Sequence, residues 1–341
     1  MSEIRLSQSA LKYNISILTE KAPIHKLFFV LKDNAYGHGI KEYGSMCLQN
    51  GIKNVVVRDT EEALLVSDMF ETILVLAEKT NFLKHDNIHY AINSFSQIHK
   101  IHPATNVHLK IDTGMHRNGI NPSELQEALE LIFSKSLRLR GVFSHLKSGD
   151  ELGSQSFWQE QCFKDIKNSV IAYCEAKKVV RPLFHLYNSA GLFRANGIGE
   201  FDAARIGIAA YGYLDMPSVF NPPKLKPVLS LWGDKIASRD AKVGERIGYG
   251  GIALIEQGGK ISTYDVGYGD GFFRISVNGS CILPGGRKMI GKVCMDCIFV
   301  DSEDDSICVF DDALALANRY KTIPYEILVR LNHKIARRIT P

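Results

Sequence analysis

Long apolar runs are missing: nothing in the 341 residues approaches the ~18 consecutive apolar positions of a membrane-spanning helix. The opening MSEIRLSQSA also lacks the basic-then-apolar pattern of a secretory signal, so a cytoplasmic location is expected. Charge of one sign is not in excess either, with 41 Lys and Arg against 37 Asp and Glu, a formal net charge of +4. Without long like-charge blocks, neither a nucleic-acid stripe nor a membrane-binding face is expected, and small or acidic ligands remain open. Cysteine is scarce: the seven residues at 47, 162, 174, 281, 294, 297 and 308 are odd in number and scattered, which excludes a disulfide framework. Cys294 and Cys297 make a single CxxC with no second pair or histidine close in sequence. No metal site is therefore expected, and the two read as small strand residues. Internal repeats and low-complexity tracts are absent as well.

What is present is a rhythm. Eight β-rich runs recur, at 27–32, 54–59, 72–77, 88–92, 107–112, 139–145, 183–188 and 203–209. Between them lie stretches with apolar residues every three to four positions, clearest at 123–133 and 157–176. Strand–helix alternation implies parallel pairing, and eight units over roughly 200 residues predict a (β/α)8 TIM barrel, here residues 1–222 of an α/β fold. Past Pro222-Pro223, a pair that continues neither helix nor central strand, strand-like runs alternate with glycine-rich turns. An all-β C-terminal domain over 223–341 is predicted from that texture.

In such barrels active sites lie at the C-terminal ends of strands. Here those ends are polar: Lys32 on the first, Lys110 and Asp112 leading to Arg117 on the fifth, His145 on the sixth, Asn188-Ser189 on the seventh and Arg205 on the eighth. Loops after strands seven and eight commonly bind phosphate through backbone N–H groups and a hydroxyl. Asn188, Ser189, Gly207 and Ile208 fit that role. A lysine across the mouth from a phosphate clamp points to pyridoxal 5'-phosphate (PLP), its aldehyde on the amine and its phosphate at the opposite wall. Burial of Lys32 behind LFFVL would lower its pKa from the ordinary ~10.4 and free the amine as a nucleophile.

The segments VLKDNAYGHG (30–39), LKIDTGMHRNG (109–119), FSHLKSGDE (143–151), NSAG (188–191), ARIGIAAYG (204–212), LKPVLSLW (225–232), VGYGDGFFR (266–274), GKVCMDC (291–297) and IPYEIL (323–328) resemble, in order and across almost the whole chain, the signature segments of alanine racemases, fold-type III PLP enzymes. The resemblance implies a barrel followed by a β-domain, assembled as a head-to-tail homodimer in which the partner's second domain completes each active site. It makes Lys32 the PLP-bearing catalytic lysine and Tyr268, donated by the other subunit, the second catalytic base. Inverting a carbon centre in place needs proton removal on one face and delivery on the other, so two acid–base groups must flank the substrate. The resemblance further implies His145 in hydrogen-bond contact with Tyr268, Arg205 at the pyridine nitrogen, Tyr36 beside the cofactor and Tyr325 at its phosphate. Arg117 and the backbone N–H of Met295 are implied to hold the substrate carboxylate, and Lys110 matches a position carbamylated in many members.

There are departures: His116 and Asn118 flank Arg117, Lys147 follows His145, and Tyr187 precedes Asn188, where smaller or apolar residues are usual in the family. The implied function is interconversion of L- and D-alanine, supplying D-alanine for peptidoglycan. A related racemase of serine or a basic amino acid, a fold-type III decarboxylase and a non-catalytic PLP-binding protein stand as alternatives. The decarboxylase fits poorly with a tyrosine-based pair of bases, and carriers of the last kind resemble the barrel alone, without a domain bearing Tyr268 and CMDC.

Overall fold

The computed structural model describes residues 1–274 and 281–341. Two compact units divide the chain, one of Leu11–Ala35 and Tyr43–Lys226, the other of Met1–Ala10, Tyr36–Glu42 and Pro227–Pro341. Strand β1 (Glu3–Ser7) belongs to the second unit. The first unit holds β2 (Leu27–Val30), β3 (Asn54–Val57), β4 (Thr72–Val75), β5 (Ile88–Ile92), β6 (Asn106–Lys110), β7 (Arg138–Phe143), β8 (Leu183–His185) and β9 (Ala204–Ile206).

These eight strands form one parallel sheet in the order β8-β7-β6-β5-β4-β3-β2-β9. A parallel bridge from His185 to Ala203 brings its two edges together, which closes the predicted barrel. NVVV in β3 and TILV in β4 are almost wholly buried, as expected for strands covered by helices outside and by packed side chains within. In β6, NVHLK, alternation sends Val107 and Leu109 to one face and His108 and Lys110 to the other. His108 reaches Phe28 and His185 on other strands, so its face is the barrel interior.

The two helices foreseen in the sequence are present. Leu125–Ser134 follows a 3-10 turn at Pro122–Glu124 whose capping box is made by Asn121 and Glu124. Gln155–Lys177 ends where Lys178 turns left-handed, with φ 54°. The eighth barrel strand is shorter than its run of β-formers, because after Ile206 the chain enters tight turns from Gly207 to Tyr213.

In the second unit β10 (Leu229–Ala241) is the hub. It pairs antiparallel with β1, with residues 259–264 and with residues 306–310. The chain's last strand, 336–340, adds in parallel to the free edge of β1. Helices Ala313–Tyr320 and Pro324–Val329 bury Ala313, Ala317, Ile327 and Leu328. Cys294 and Cys297 lie in the turn before the strand 298–300 rather than in a strand, since the N–H of Cys294 donates to the carbonyl of Cys297 at 2.9 Å.

Candidate active site

Lys32 begins a left-handed turn: Asp33, Asn34, Ala35 and Tyr36 have φ of 55, 55, 50 and 48°, and Gly37 follows at 77°. Each non-glycine residue in that region costs ~1–2 kcal/mol, so the surroundings must hold the turn. The Glu62 carboxylate accepts the N–H groups of Asn34 and Arg58, both at 2.8 Å, and Arg58 bonds Asp33 at 3.2 Å. The result is a lysine that leaves the strand end instead of entering the core. Its side chain is 39% exposed, with Nζ 3.6 Å from Asp33, which corrects the enclosed lysine expected behind LFFVL.

Around the same mouth stand three further cations. Burial draws the Lys110 ammonium down to about 8, aided by repulsion from Arg117, Arg205 and Lys32 and opposed by Asp112. Lys110 donates to the Oδ1 of Asn118, one of the departures from the family pattern. Asp112 is occupied in shaping the loop that carries Arg117, accepting from the N–H of Gly114 at 2.9 Å and of His116 at 3.1 Å. Gly119 closes that loop at φ +122°, where a Cβ would lie 2.9 Å from the Asp112 nitrogen. Burial, and then the charges of Arg205, Arg117, Lys110 and Lys32, push His145 down to about 3. At neutral pH His145 is an uncharged imidazole.

Arg205 is buried. One guanidinium nitrogen donates to the carbonyl and Nδ1 of His185 at 2.7 and 2.8 Å; the other donates to the carbonyls of Ser144 and Leu186 at 2.6 and 3.2 Å and faces His145 Nδ1 at 3.5 Å. Phe143 lies 5.0 Å from its carbon. Burial lowers Arg205 to about 9, so it remains a cation at neutral pH. Beside it, Ser189 Oγ accepts from the N–H groups of Gly207 at 3.1 Å and Ala209 at 3.3 Å. That hydroxyl knits the loops after β8 and β9 and retains its own proton to donate. Asn188 caps the following helix, its Oδ1 accepting from Gly191 at 2.8 Å. Ile208 lies in the same turn as Gly207 and is buried.

The remaining candidates sit in the β unit. Tyr268 opens the 3-10 turn Tyr268–Asp270, and its N–H donates to the carbonyl of Cys294 at 3.1 Å while Gly269 donates to that of Met295 at 2.8 Å. A Cβ on Gly267 would sit 2.1 Å from the Met295 oxygen, so glycine is required for this approach. Tyr268 and Met295 are thus held together, 38% and 55% exposed, and among the described residues the Met295 N–H meets no acceptor. Tyr36 and Tyr325 form a second group, with ring centroids 5.5 Å apart.

Cations, a hydroxyl and backbone donors suit a ligand bearing phosphate and carboxylate groups, and a projecting amine suits one with a carbonyl. A parallel barrel with that mouth, in one chain with a second, β-rich unit, defines a two-unit barrel enzyme. Residues 6–215 match the alanine racemase N-terminal domain and residues 228–339 the alanine racemase C-terminal domain. The chain belongs to the alanine racemase family. It is 45% identical over 338 residues to an alanine racemase of a Nitratiruptor species, and 40% identical over 341 residues to one of Campylobacter curvus, each covering 99% of both chains. The solved alanine racemase of Clostridium difficile 630 shares the fold, with a TM-score of 0.87 at 23% identity over 99% of this chain and 95% of that one. The enzyme of a D-cycloserine-producing Streptomyces lavendulae gives 0.84 at 25% identity, covering 100% and 97%.

Proposed function

We propose that the protein is a PLP-dependent alanine racemase whose active site forms between two copies of the chain. Lys32 carries the cofactor and serves as the acid–base group on one face of the substrate; Tyr268 of a second copy serves on the other. When bound, PLP supplies an electron-withdrawing ring that makes the α-hydrogen of an amino acid removable. Arg205 donates to the ring nitrogen and, having only donors, holds it as an acceptor without surrendering a proton. Ser189, Asn188, the Gly207–Ile208 turn and Tyr325 hold the phosphate, and Tyr36 flanks the ring. Arg117 and the Met295 N–H hold the substrate carboxylate.

Tyrosine needs help to act as a base, since its ordinary pKa is ~10. His145 supplies it. Because Arg205 faces its Nδ1, the neutral ring keeps its proton on Nε2, where it can stabilise a phenolate. Lys110, drawn down to about 8, has enough free amine to take up CO2 and become an anionic carbamate that orients Arg117; a Lys110 peptide heavier by one CO2 under gentle conditions tests this. The D-alanine formed serves peptidoglycan, as the family resemblance implies.

The observation that carries the proposal is the division of donors. The barrel mouth offers cations and a lysine, whereas the phenol and the open N–H stand together, exposed, on the β unit. Incubating the PLP-loaded protein separately with L-alanine, L-serine and L-lysine, and following loss of circular dichroism, tests it. Decay is expected fastest with alanine; none with any substrate, despite bound cofactor, favours a non-catalytic PLP-binding protein.

A further inference from the structure

Four side chains from four strands, buried Arg205, His185 and His108 and half-buried His89, form one line through the barrel. Arg205 Nη1 lies 2.8 Å from His185 Nδ1, His185 Nε2 lies 2.9 Å from His108 Nδ1, and His108 Nε2 lies 3.0 Å from His89 Nδ1. The line is built into the packing. His185 is stacked between Phe28 and Phe143, at centroid distances of 5.7 and 4.9 Å and nearly parallel. Position 141 must be glycine, because a Cβ there would lie 2.2 Å from His108 Nδ1. At the far end, by the N-terminal ends of the strands, His89 and His108 line a cavity of about 270 Å³ that Lys26, Asn54, Thr72 and Asp202 also border.

Only one proton arrangement satisfies this line. Guanidinium has no acceptor, so His185 must accept at Nδ1. Burial in an apolar stack keeps its ring neutral, so its single proton is on Nε2 and is donated to His108 Nδ1. The same step repeats: His108 donates from Nε2 to His89 Nδ1, and the Nε2–H of His89 is left for the cavity. Three imidazole dipoles then add, lone-pair ends toward Arg205. Among the described residues no carboxylate pairs with that arginine, so the buried cation is held by carbonyls and by this polarised column. We propose that His108 and His89 are positioning residues that, acting from the opposite end of the barrel, fix Nδ1 of His185 as the acceptor that holds Arg205.

The charged and titratable groups facing the column are Arg205 and Arg140, whose charges act on His108, and Lys26, His25 and Asp202 at the cavity. A second proton placed on His89 occupies the nitrogen that accepts from His108. Each ring in turn would have to reverse, and His185 would present N–H to guanidinium N–H.

The effect on turnover rests on the role assigned to Arg205 above, whereas the register does not, so the two are measured separately. In holoenzyme labelled with 15N-histidine, two-bond imidazole couplings at pH 7, assigned with single glutamine variants, should show His185, His108 and His89 all neutral and protonated on Nε2. A cationic ring or an Nδ1–H form at His185 or His108 overturns the proposal. Kinetically, His89→Leu should lower kcat by about tenfold with KM within about twofold, and His89→Gln, whose amide oxygen can accept the His108 proton, should recover most of the loss. Equal kinetics for the two variants reduce His89 to packing and refute the positioning role. Should His89→Leu fail to fold, the couplings and the glutamine variant still decide.

Discussion

In the barrel, Arg205 is bound by four hydrogen bonds of 3.2 Å or less and Lys110 is buried and tied to Asn118; in the β unit, Tyr268 stands 38% exposed on a turn held by the carbonyls of Cys294 and Met295 and by the side chains of Asp270 and Asn332. Burial first, and then one another's charge, lowers Lys110 and His145 in the barrel. The contrast separates two tasks. On the function proposed above, the electrostatically coupled barrel half would hold charged groups of a ligand, and the exposed half of a second copy would bring one acid–base group and one N–H to it. Preorganisation of the first and accessibility of the second are both needed if the site closes only between subunits.

Removing the barrel's reactive group should have the largest effect. Lys32→Ala takes away both the covalent anchor and one acid–base group, and racemisation should fall by at least ~10^3–10^4-fold with loss of the visible chromophore; an active, coloured variant would contradict the assignment. Removing the β unit's phenol should be gentler. Tyr268→Phe should keep cofactor binding and lower turnover by ~10^2–10^3-fold. Mirror-image substrates have equal free energies, so both directions must fall together. What should survive is solvent exchange of the α-hydrogen for one enantiomer, the one presenting it to Lys32; exchange with both enantiomers, or with neither, would break the division of faces.

Acid should expose the barrel before the β unit. A histidine in the unfolded chain titrates near ~6.5, whereas burial pushes His89 down to about 4 and His145 to about 3. The unfolded chain therefore binds more protons in that interval. Their contribution is complete above about pH 6.5 and is lost as pH falls toward about 4 and about 3 respectively. For His89 alone the gap of ~2.5 pH units corresponds to about 3 kcal/mol. Urea midpoints should fall from pH 7 to pH 5, and a flat profile would show these rings free to ionise in the fold.

Smallest of all should be two glycine substitutions. Gly141→Ala drives a methyl into His108, and Gly267→Ala drives one into the Met295 carbonyl; each should cost about 1–3 kcal/mol of stability by overpacking. Their activities should differ in kind. Gly267→Ala separates Tyr268 from Met295 and should raise KM as well as lower kcat, while Gly141→Ala should leave KM near its original value.

Much of this is legible in the sequence because barrel strands carry continuous β-forming runs and end in polar residues. Lys32, Lys110, His145, Ser189 and Arg205 all follow from that rule, and glycines around Tyr268 mark its turn. Other features have no local signal. β1 is five residues of ordinary composition, and its place beside β10 is set by pairing more than 220 residues away. The left-handed turn after Lys32 depends on Glu62, which is remote in sequence. His89, His108 and His185 read as isolated histidines in separate strands; only the register that sets His108 opposite Gly141, and Phe143 beside His185, shows that they touch. Strand alternation hints at inward-facing polar residues in VHLK, but which of them meet across a barrel is a tertiary fact.

The central claim is that Lys32 and Tyr268 of different copies act on one substrate, and mixing two inactive variants tests it most directly. Lys32→Ala and Tyr268→Phe homodimers, denatured together and refolded with PLP, should form mixed dimers in which one of two sites pairs an intact Lys32 with an intact Tyr268. Random reassortment predicts recovery of about a quarter of the wild-type activity. If no activity returns although mixed dimers form, both residues come from the same chain and the shared site is wrong.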